Sequence, residues 1–466
     1  MTRLIAIAFL FVGGFGHAAD SPPLSRIAFG SGASQERAQP IWEAVVNARP
    51  ELFVFLGDTI YGDSDNPEIL KQKYAQFAAM PGFQKLIKSC PILATWDEHD
   101  YGGDGAGAEF RTRALSQKAF LDFFNEPANS PRRQREGVYS AMTFGPHGKR
   151  TQVILLDTRF FRSPLKKSGY SIVPNSDPAA TILGDAQWKW LGEQLSQPAE
   201  LRLIGSAIQV EAEDHPFEKW AVFPAERARF LKLLQETRAN GVVLLSGNRL
   251  FGELSAIDAS LGYPVFELTS SGLNMGARFW RPPEPNRHRI SSMTAGDNFG
   301  MIVVNWEVTP PTVRLQVRDV GGEIALQQKF ELPLLTPGAA PIAVATKPAP
   351  STQQAAAPKT PGAITVAEAI GKVGEKVTVE FKVKATGQTM DGVRVFLNST
   401  QRRDDAENFT VVLMMRDIGD ALKAAGVSDP PNYYKNKTVR VTGTVALFRE
   451  KPQIVVDDVT MIAVVP

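Results

Sequence analysis

Four short segments each deliver polar side chains directly after an apolar run. Residues 51–63, ELFVFLGDTIYGD, reach Asp58 and place Tyr61 three positions on. Residues 91–102, PILATWDEHDYG, supply Asp97, Glu98, His99 and Asp100. Residues 151–162, TQVILLDTRFFR, supply Asp157 and Arg159, and residues 244–254, LLSGNRLFGEL, supply Asn248 and Arg249. Taken singly, an Asp or Asn in such a place serves as a helix cap or turn former. Taken together, carboxylates with one His and an amide oxygen suit hard or borderline cations. Two such ions about 3.5 to 4 Å apart can clamp a phosphoryl group for in-line attack. An arginine such as Arg159 could then neutralise its non-bridging oxygens.

The elements that must position these groups are legible around them. Strands are expected at 26–30, 52–56, 92–95, 152–156, 203–207 and 242–245, and helices at 35–47, 69–79, 115–124, 186–195 and 226–238. Continuous apolar strands interleaved with helices imply an α/β fold with a largely parallel sheet covered on both faces. Ligands then gather at the carboxyl ends of the strands, where all four segments lie. Later runs near 265–268, 301–306, 313–317 and 325–332 read as a meander, which implies a mixed sheet or a second sheet packed on the first.

The chain has 466 residues, with 51 Lys+Arg against 49 Asp+Glu and one cysteine. A net charge of +2 argues against a protein that coats nucleic acid mainly through phosphate contacts, so such a role would need a local patch. Cys90 alone excludes an intramolecular disulfide and any cysteine-based zinc or iron–sulfur site; before an apolar strand it reads as a small buried hydrophobe. Residues 1–19 have Arg3, an apolar run from Leu4 to Val12 and small residues up to Ala18 and Ala19. That is the order of a secretory signal peptide, cleaved after Ala18 or Ala19; without a twin arginine it implies the Sec route to the periplasm or outside. No later run is long enough to be a transmembrane segment.

Residues 333–361 hold seven prolines and eight alanines, with no acid and no aromatic, and the stretch 333–362 is read as a linker. It separates a domain at 20–332 from one at 363–466. In the latter, alternation at Val377, Val379, Phe381 and Val383 is followed by further strands near 393–397 and 409–413. A helix at 418–425 and strands at 439–447 and 453–456 come next. Three strands, a helix and two strands resemble a small all-β OB-like barrel. Its 14 basic and 13 acidic residues lack the excess of a phosphate-tracking groove. Nucleic acid is thus disfavoured by charge and open only through an OB face, where Phe396, Tyr433, Tyr434 and Phe448 could stack bases or sugars; Phe409 alternates with core positions.

GDTIYGD, ATWDEHDYG, the GVY at 137–139, VILLDTRFFR and LLSGNRLFGEL, in this order over 26–332, resemble the alkaline phosphatase D group of metallophosphoesterases. The resemblance implies a four-layer αββα sandwich that hydrolyses phosphate mono- or diesters at a cluster containing iron and calcium. It implies Asp58 as a bridging carboxylate, with Tyr61, Glu98 and Asn248 as further metal ligands. His99 would act on the phosphate or leaving group, and Arg159 would contact substrate. The sequence departs from the pattern at three places. Gly32, in FGSGASQ, stands where the family has cysteine; Glu98 replaces Asp; and the late Gly-Asp-Arg-His motif is Gly247-Asn248-Arg249-Leu250. Neither glycine nor leucine can ligate a metal, and Asn248 offers only a neutral amide oxygen.

The remaining polar residues carry two readings each. His147, in GPHGK, fits a hairpin turn, and His288 a solvated Arg-rich loop. His215, in EDHPFEKW, fits either a loop Asp–His pair or a surface role. Asp97, Asp100 and Asp157 fit either as supports of the metal-ligating side chains or as caps, and Glu253 as an exposed strand carboxylate or a pocket rim. Two functions follow: an exported phosphoesterase with weak or altered activity on small-molecule or extracellular polymeric phosphate esters, or an inactive pseudoenzyme that binds an extracellular ligand.

Overall fold

The computed structural model describes residues 21–169, 171–276, 284–338, 363–388, 394–401, 405, 407–427, 429–448 and 451–465. The expected signal peptide and most of the Pro/Ala-rich stretch, from 339 to 362, lie outside the described residues. The chain divides into two compact units, Met1–Ala349 and Pro350–Pro466.

The first unit begins β1 (Arg26–Gly30), α1 (Ile41–Asn47), β2 (Leu52–Leu56), α2 (Pro67–Ala78), α3 (Pro81–Ser89), β3 (Ile92–Thr95), α4 (Glu98–Tyr101) and α5 (Arg113–Phe123). It continues with β4 (Ser140–Phe144), β5 (Thr151–Leu155), β6 (Lys166–Ser168), β7 (Ser171–Val173), α6 (Gly184–Leu195), β8 (Leu201–Ser206), α7 (Pro224–Glu236) and β9 (Val242–Ser246). Five strands follow: β10 (Gly252–Asp258), β11 (Pro264–Ser270), β12 (Asn298–Asn305), β13 (Thr312–Asp319) and β14 (Ile324–Glu331).

These strands form two six-stranded sheets, β14-β13-β12-β1-β2-β3 and β10-β11-β9-β8-β5-β4. Each is mixed. In the first, only β1, β2 and β3 run parallel; in the second, β5, β8, β9 and β11 do. The expectation of a largely parallel sheet thus gives way to two sheets, as the meander-like late strands require. Period-two alternation builds the layers. On β2, Leu52, Val54 and Leu56 join the core shared with Val153, Leu155, Leu203 and Val243 of the second sheet. Phe53 and Phe55 point the other way, into a core with Trp42 of α1, Phe77 of α2, Phe83 of α3 and Phe120 of α5. Trp188 and Leu191 of α6 and Phe230 and Leu234 of α7 enter the first of these cores. The result is an αββα sandwich.

Local signals set the helix ends. Asn66 accepts from the Glu68 N–H ahead of Pro67, so α2 starts two residues before the expected 69. In contrast, α1 starts six residues later than expected, because Pro40 disfavours helical backbone at the residue before it. The 145–150 segment carrying His147 joins the antiparallel pair β4 and β5, as a hairpin turn should. Leu332–Leu335 forms a 3-10 turn whose Leu335 is buried, so the first residues of the Pro/Ala-rich stretch pack with the first unit.

The second unit contains α8 (Val366–Ile370), β15 (Lys376–Lys382), β16 (Ala385–Gln388), β17 (Arg394–Asn398), β18 (Thr410–Met414), α9 (Met415–Ala424) and α10 (Pro430–Tyr434). It ends with β19 (Thr438–Thr444), β20 (Ala446–Phe448), β21 (Lys451–Val456) and β22 (Ile462–Val465). The helical segment falls between the third and fourth long strands as expected. The pairings described join the strands as two sheets, β15-β19-β22 and β16-β17-β18-β21-β20, around one apolar core. Phe409 and Tyr434 are buried in that core and Tyr433 is exposed, while the Phe448 side chain lies outside those described.

Candidate functional site

The four segments meet where strands of both sheets end. Thr95 Oγ1 donates to the Leu156 carbonyl at 2.7 Å, which ties the end of β3 in one sheet to the end of β5 in the other. Next to this tie, Gly57 follows β2 with φ +93°, and a Cβ there would stand 2.3 Å from the Asp97 N and Cβ atoms. Only glycine lets the two strand ends approach so closely. Asp58 then turns into the left-handed region at φ +49°, with Asn248 (+64°) and Leu250 (+57°) doing the same after β9. Asp and Asn tolerate this conformation; leucine is strained by it.

Asp58 is buried, and its Oδ1 accepts from the His99 N–H at 3.3 Å. Burial, with Asp97 next to it, holds the Asp58 carboxyl well above the usual range. Burial and then Asp58 raise the Tyr61 phenol. The Tyr61 ring lies against His99, centroids 4.3 Å apart. His99 Nδ1 is 2.6 Å from Asp63 Oδ1. Burial alone would lower its imidazole, but the Asp63 hydrogen bond and the Asp58 charge outweigh that and push it up to about 10.

Arg159 is fully buried and is the hub of an ion-pair network. Its Nε donates to Asp97 Oδ1 at 2.6 Å and its Nη1 to Glu218 Oε2 at 2.8 Å, with Glu98 Oε2 3.7 Å away. Arg162 reaches the other oxygen of Glu218 at 3.1 Å. The expected contact between Arg159 and substrate is therefore not available in this arrangement: its charge is spent inside the protein. Asn248 donates from Nδ2 to Asp97 at 2.8 Å and to Glu98 at 3.2 Å. Its amide nitrogen, not its oxygen, faces the acids.

The other acids act as supports or caps. Asp100 accepts from the backbone N–H groups of Thr59, Ile60 and Asp97 and from the Tyr74 hydroxyl, and burial pushes it up to about 7 against those bonds. Burial likewise pushes Asp97 up to about 6 in spite of Arg159. Asp157 caps a turn through the N–H groups of Val138, Arg159 and Phe160. Among the described residues, no three His, Cys, Asp or Glu side chains are grouped to hold a metal ion. At Gly32, φ is +71° and a Cβ would stand 2.9 Å from Gly272 N and 3.1 Å from Leu250 Cδ2. Two of the departures thus touch each other: Leu250 covers the glycine.

Several single-residue expectations change. Glu253 is buried, not exposed, and accepts from Gln209 at 2.6 Å and Asn286 at 2.8 Å while pairing with Arg289. His215 is buried too; its Nε2 is 3.0 Å from Gln209 Oε1. His288 Nε2 is 3.0 Å from Glu213 Oε1, while His147 is exposed. Cys90 is buried as expected, its thiol pushed up to about 11 by burial. Sequence reasoning missed Glu218, Arg162 and Asp63. Glu218 stands in EDHPFEKW, weighed only for its histidine, and Asp63 closes the quoted GDTIYGD.

The family model of PhoD-like phosphatases matches residues 27–280, more than half of the chain. The structure of PhoD aligns at 18% identity and a TM-score of 0.55, covering 67% of this chain and 69% of that one. The structure of GAP50, the anchor in the inner membrane complex of Plasmodium, aligns at 12% identity with a TM-score of 0.44 over 66% of this chain and 89% of that one. No curated protein matches. With the αββα sandwich and the strand-end cluster at 57–63, 96–100, 157–162 and 247–250, the chain belongs to the PhoD-like phosphatase family, whose members depend on metal ions.

Proposed function

We propose that this chain is an exported phosphoesterase acting on phosphate mono- or diesters, with a departed site and weak or altered activity, joined to an OB-like unit. The observation that carries the reading is the placement of Asp58 and His99 together at the strand ends of a PhoD-like fold. The iron and calcium implied by the resemblance do not fit the donors present. Asp97 is spent on Arg159 and Asn248, Asp100 on four protein donors and Asp157 on three backbone N–H groups. Asn248 turns N–H donors toward Glu98, and Leu250 offers no donor at all. Asp58, Tyr61 and Glu98 are left, fewer anionic groups than a polynuclear centre needs to hold its charge together.

The chemistry is therefore assigned to side chains alone. His99, held as imidazolium beside Asp58, is suited to donate a proton to a leaving oxygen, and Asp58 to orient the attacking water. General acid–base catalysis is worth about 10²- to 10⁴-fold, far short of what a metal pair can add, hence slow turnover. Full-length protein, dialysed and assayed on p-nitrophenyl phosphate and its diester, should turn over slowly, and Asp58→Ala should abolish that turnover. Unchanged turnover in the variant would sink the assignment. Iron or calcium retained near one per chain would overturn the argument from the donors.

A second reading, a ligand-binding pseudoenzyme, is favoured by one observation: Leu250 covers Gly32, where the family places a metal ligand. It predicts no ester hydrolysis by wild-type protein.

A further inference from the structure

Residues 363–466 are nearly neutral, with 14 basic and 13 acidic residues, but these charges are not evenly spread. The stretches 381–390 and 430–442 hold five of the basic residues and none of the acids. Folding brings the two stretches together. The Val383 N–H donates to the Lys437 carbonyl and the Asn436 N–H to the Val383 carbonyl, at 2.9 Å each. This two-bond bridge joins the end of β15 to the turn before β19. Lysines stand on both sides of each centre: Lys382 and Lys384 flank Val383, and Lys435 and Lys437 flank Asn436. Phe381 and Val383 are buried in the core, so period-two alternation turns Lys382 and Lys384 outward. Lys382, Lys384 and Lys435 are exposed. Lys437 places its Nζ 3.4 Å from the centre of the Tyr433 ring, and Tyr433 is 36% exposed. Among the described residues none of these four lysines has an ion pair, whereas Arg440, the fifth cation, is taken by Glu380 at 2.7 Å.

Surface charges of both signs are normally interspersed, and four cations around one bridge with no counter-charge repel one another. A partner of opposite sign that reaches several of them at once relieves that repulsion and is steered to them. The near-zero charge of the whole chain does not cancel this attraction, because the field that matters is local, within a Debye length of about 8 Å at physiological salt. A flexible strand of phosphates meets the requirement, since its successive charges can each find a lysine. The exposed Tyr433 in their midst adds a π surface, which phosphate does not use and an unpaired base does. We propose that Lys382, Lys384, Lys435, Lys437 and Tyr433 form a binding site for single-stranded nucleic acid, with the lysines on its phosphates and the tyrosine on a base. The site lies wholly within the second unit and does not rest on the phosphoesterase reading.

The lysines and the tyrosine are separable in one experiment: fluorescence anisotropy of end-labelled oligo(dT), about 12 nucleotides long, titrated with full-length protein over a range of salt. Each phosphate contact on a single strand contributes about −0.7 to the slope of log K against log[salt], so four lysines predict a slope of about −3. Lys384→Gln combined with Lys435→Gln should halve that slope, and both side chains are exposed, so the fold is spared. Tyr433→Ala should weaken binding by about 5- to 100-fold at an unchanged slope, and Tyr433→Phe should keep wild-type affinity. Duplex DNA of the same length and poly-glutamate of matched charge should both bind more weakly than oligo(dT). No binding of oligo(dT), or a slope unchanged in the double lysine variant, would overturn the site. Poly-glutamate binding as tightly as oligo(dT) would reduce it to a general polyanion contact, and duplex binding as tightly would remove the base from it. Either of these results also overturns the proposal.

Discussion

Gly32 and Leu250 show how two departures can depend on one another. A side chain at 32 would need a left-handed backbone at φ +71° and would press on Gly272 N and Leu250 Cδ2. Gly32→Cys alone should therefore cost about 1 to 3 kcal/mol of stability, from backbone strain and overpacking together. Adding Leu250→Ala should return part of that cost, since it removes one of the two crowded neighbours. Urea unfolding of the two single variants and the double variant measures the coupling. Independent, additive effects would show that Leu250 does not cover the glycine in solution. In the same way Asn248 is more than a weaker ligand: by donating to Asp97 and Glu98 it joins the network that ends on Arg159.

Strand ends, and not whole strands, carry the polar load of this fold. Exceptions exist within β10, at Glu253, and within β11. Glu267 lies within it, fully buried, and accepts from the Val210 and Glu211 N–H groups at 2.8 Å each. Burial pushes it up to about 7 against those bonds, and burial next to Glu267 raises Glu211 as well. A carboxyl raised above its unfolded value contributes stability that is fully present below the unfolded pKa. That contribution is lost as pH rises through the folded value. Wild-type stability should therefore fall between about pH 4.5 and 7 on account of Glu267. Glu267→Gln should flatten that slope, as followed by thermal unfolding across the range. An identical slope in the variant would refute the assignment. The strands and long helices were legible because apolar periodicity is local, with ends shifted by a few residues where capping or proline intervened. The short α4 was not: it is one turn, closed by the reciprocal bonds of Asp97 and Asp100, and no periodicity can build up over four residues.

The two units have separate apolar cores, one pair of clusters in the αββα sandwich and one in the all-β region. Each can thus unfold cooperatively without the other. Calorimetry of the full chain should show two transitions, and a protein ending at 349 should keep one of them within a few degrees. Loss of that transition on truncation would show that the first unit depends on the second. No helix among the described residues is long and apolar enough to cross a membrane.

By itself the sequence determined the α/β class, the family and the four strand-end segments. All of these follow from local periodicity, composition and short motifs. Only the tertiary structure decided what each polar group is spent on. Asp97, 62 positions from Arg159 and 151 from Asn248, is neutralised by the first and held by the second. Gly32 is covered by a leucine far along the chain. Asp63, at the end of a quoted motif, becomes notable only because folding lays it against His99. Hydrogen bonds and ion pairs are satisfied by whichever groups burial brings together, and that choice of partner has no periodic trace in the chain.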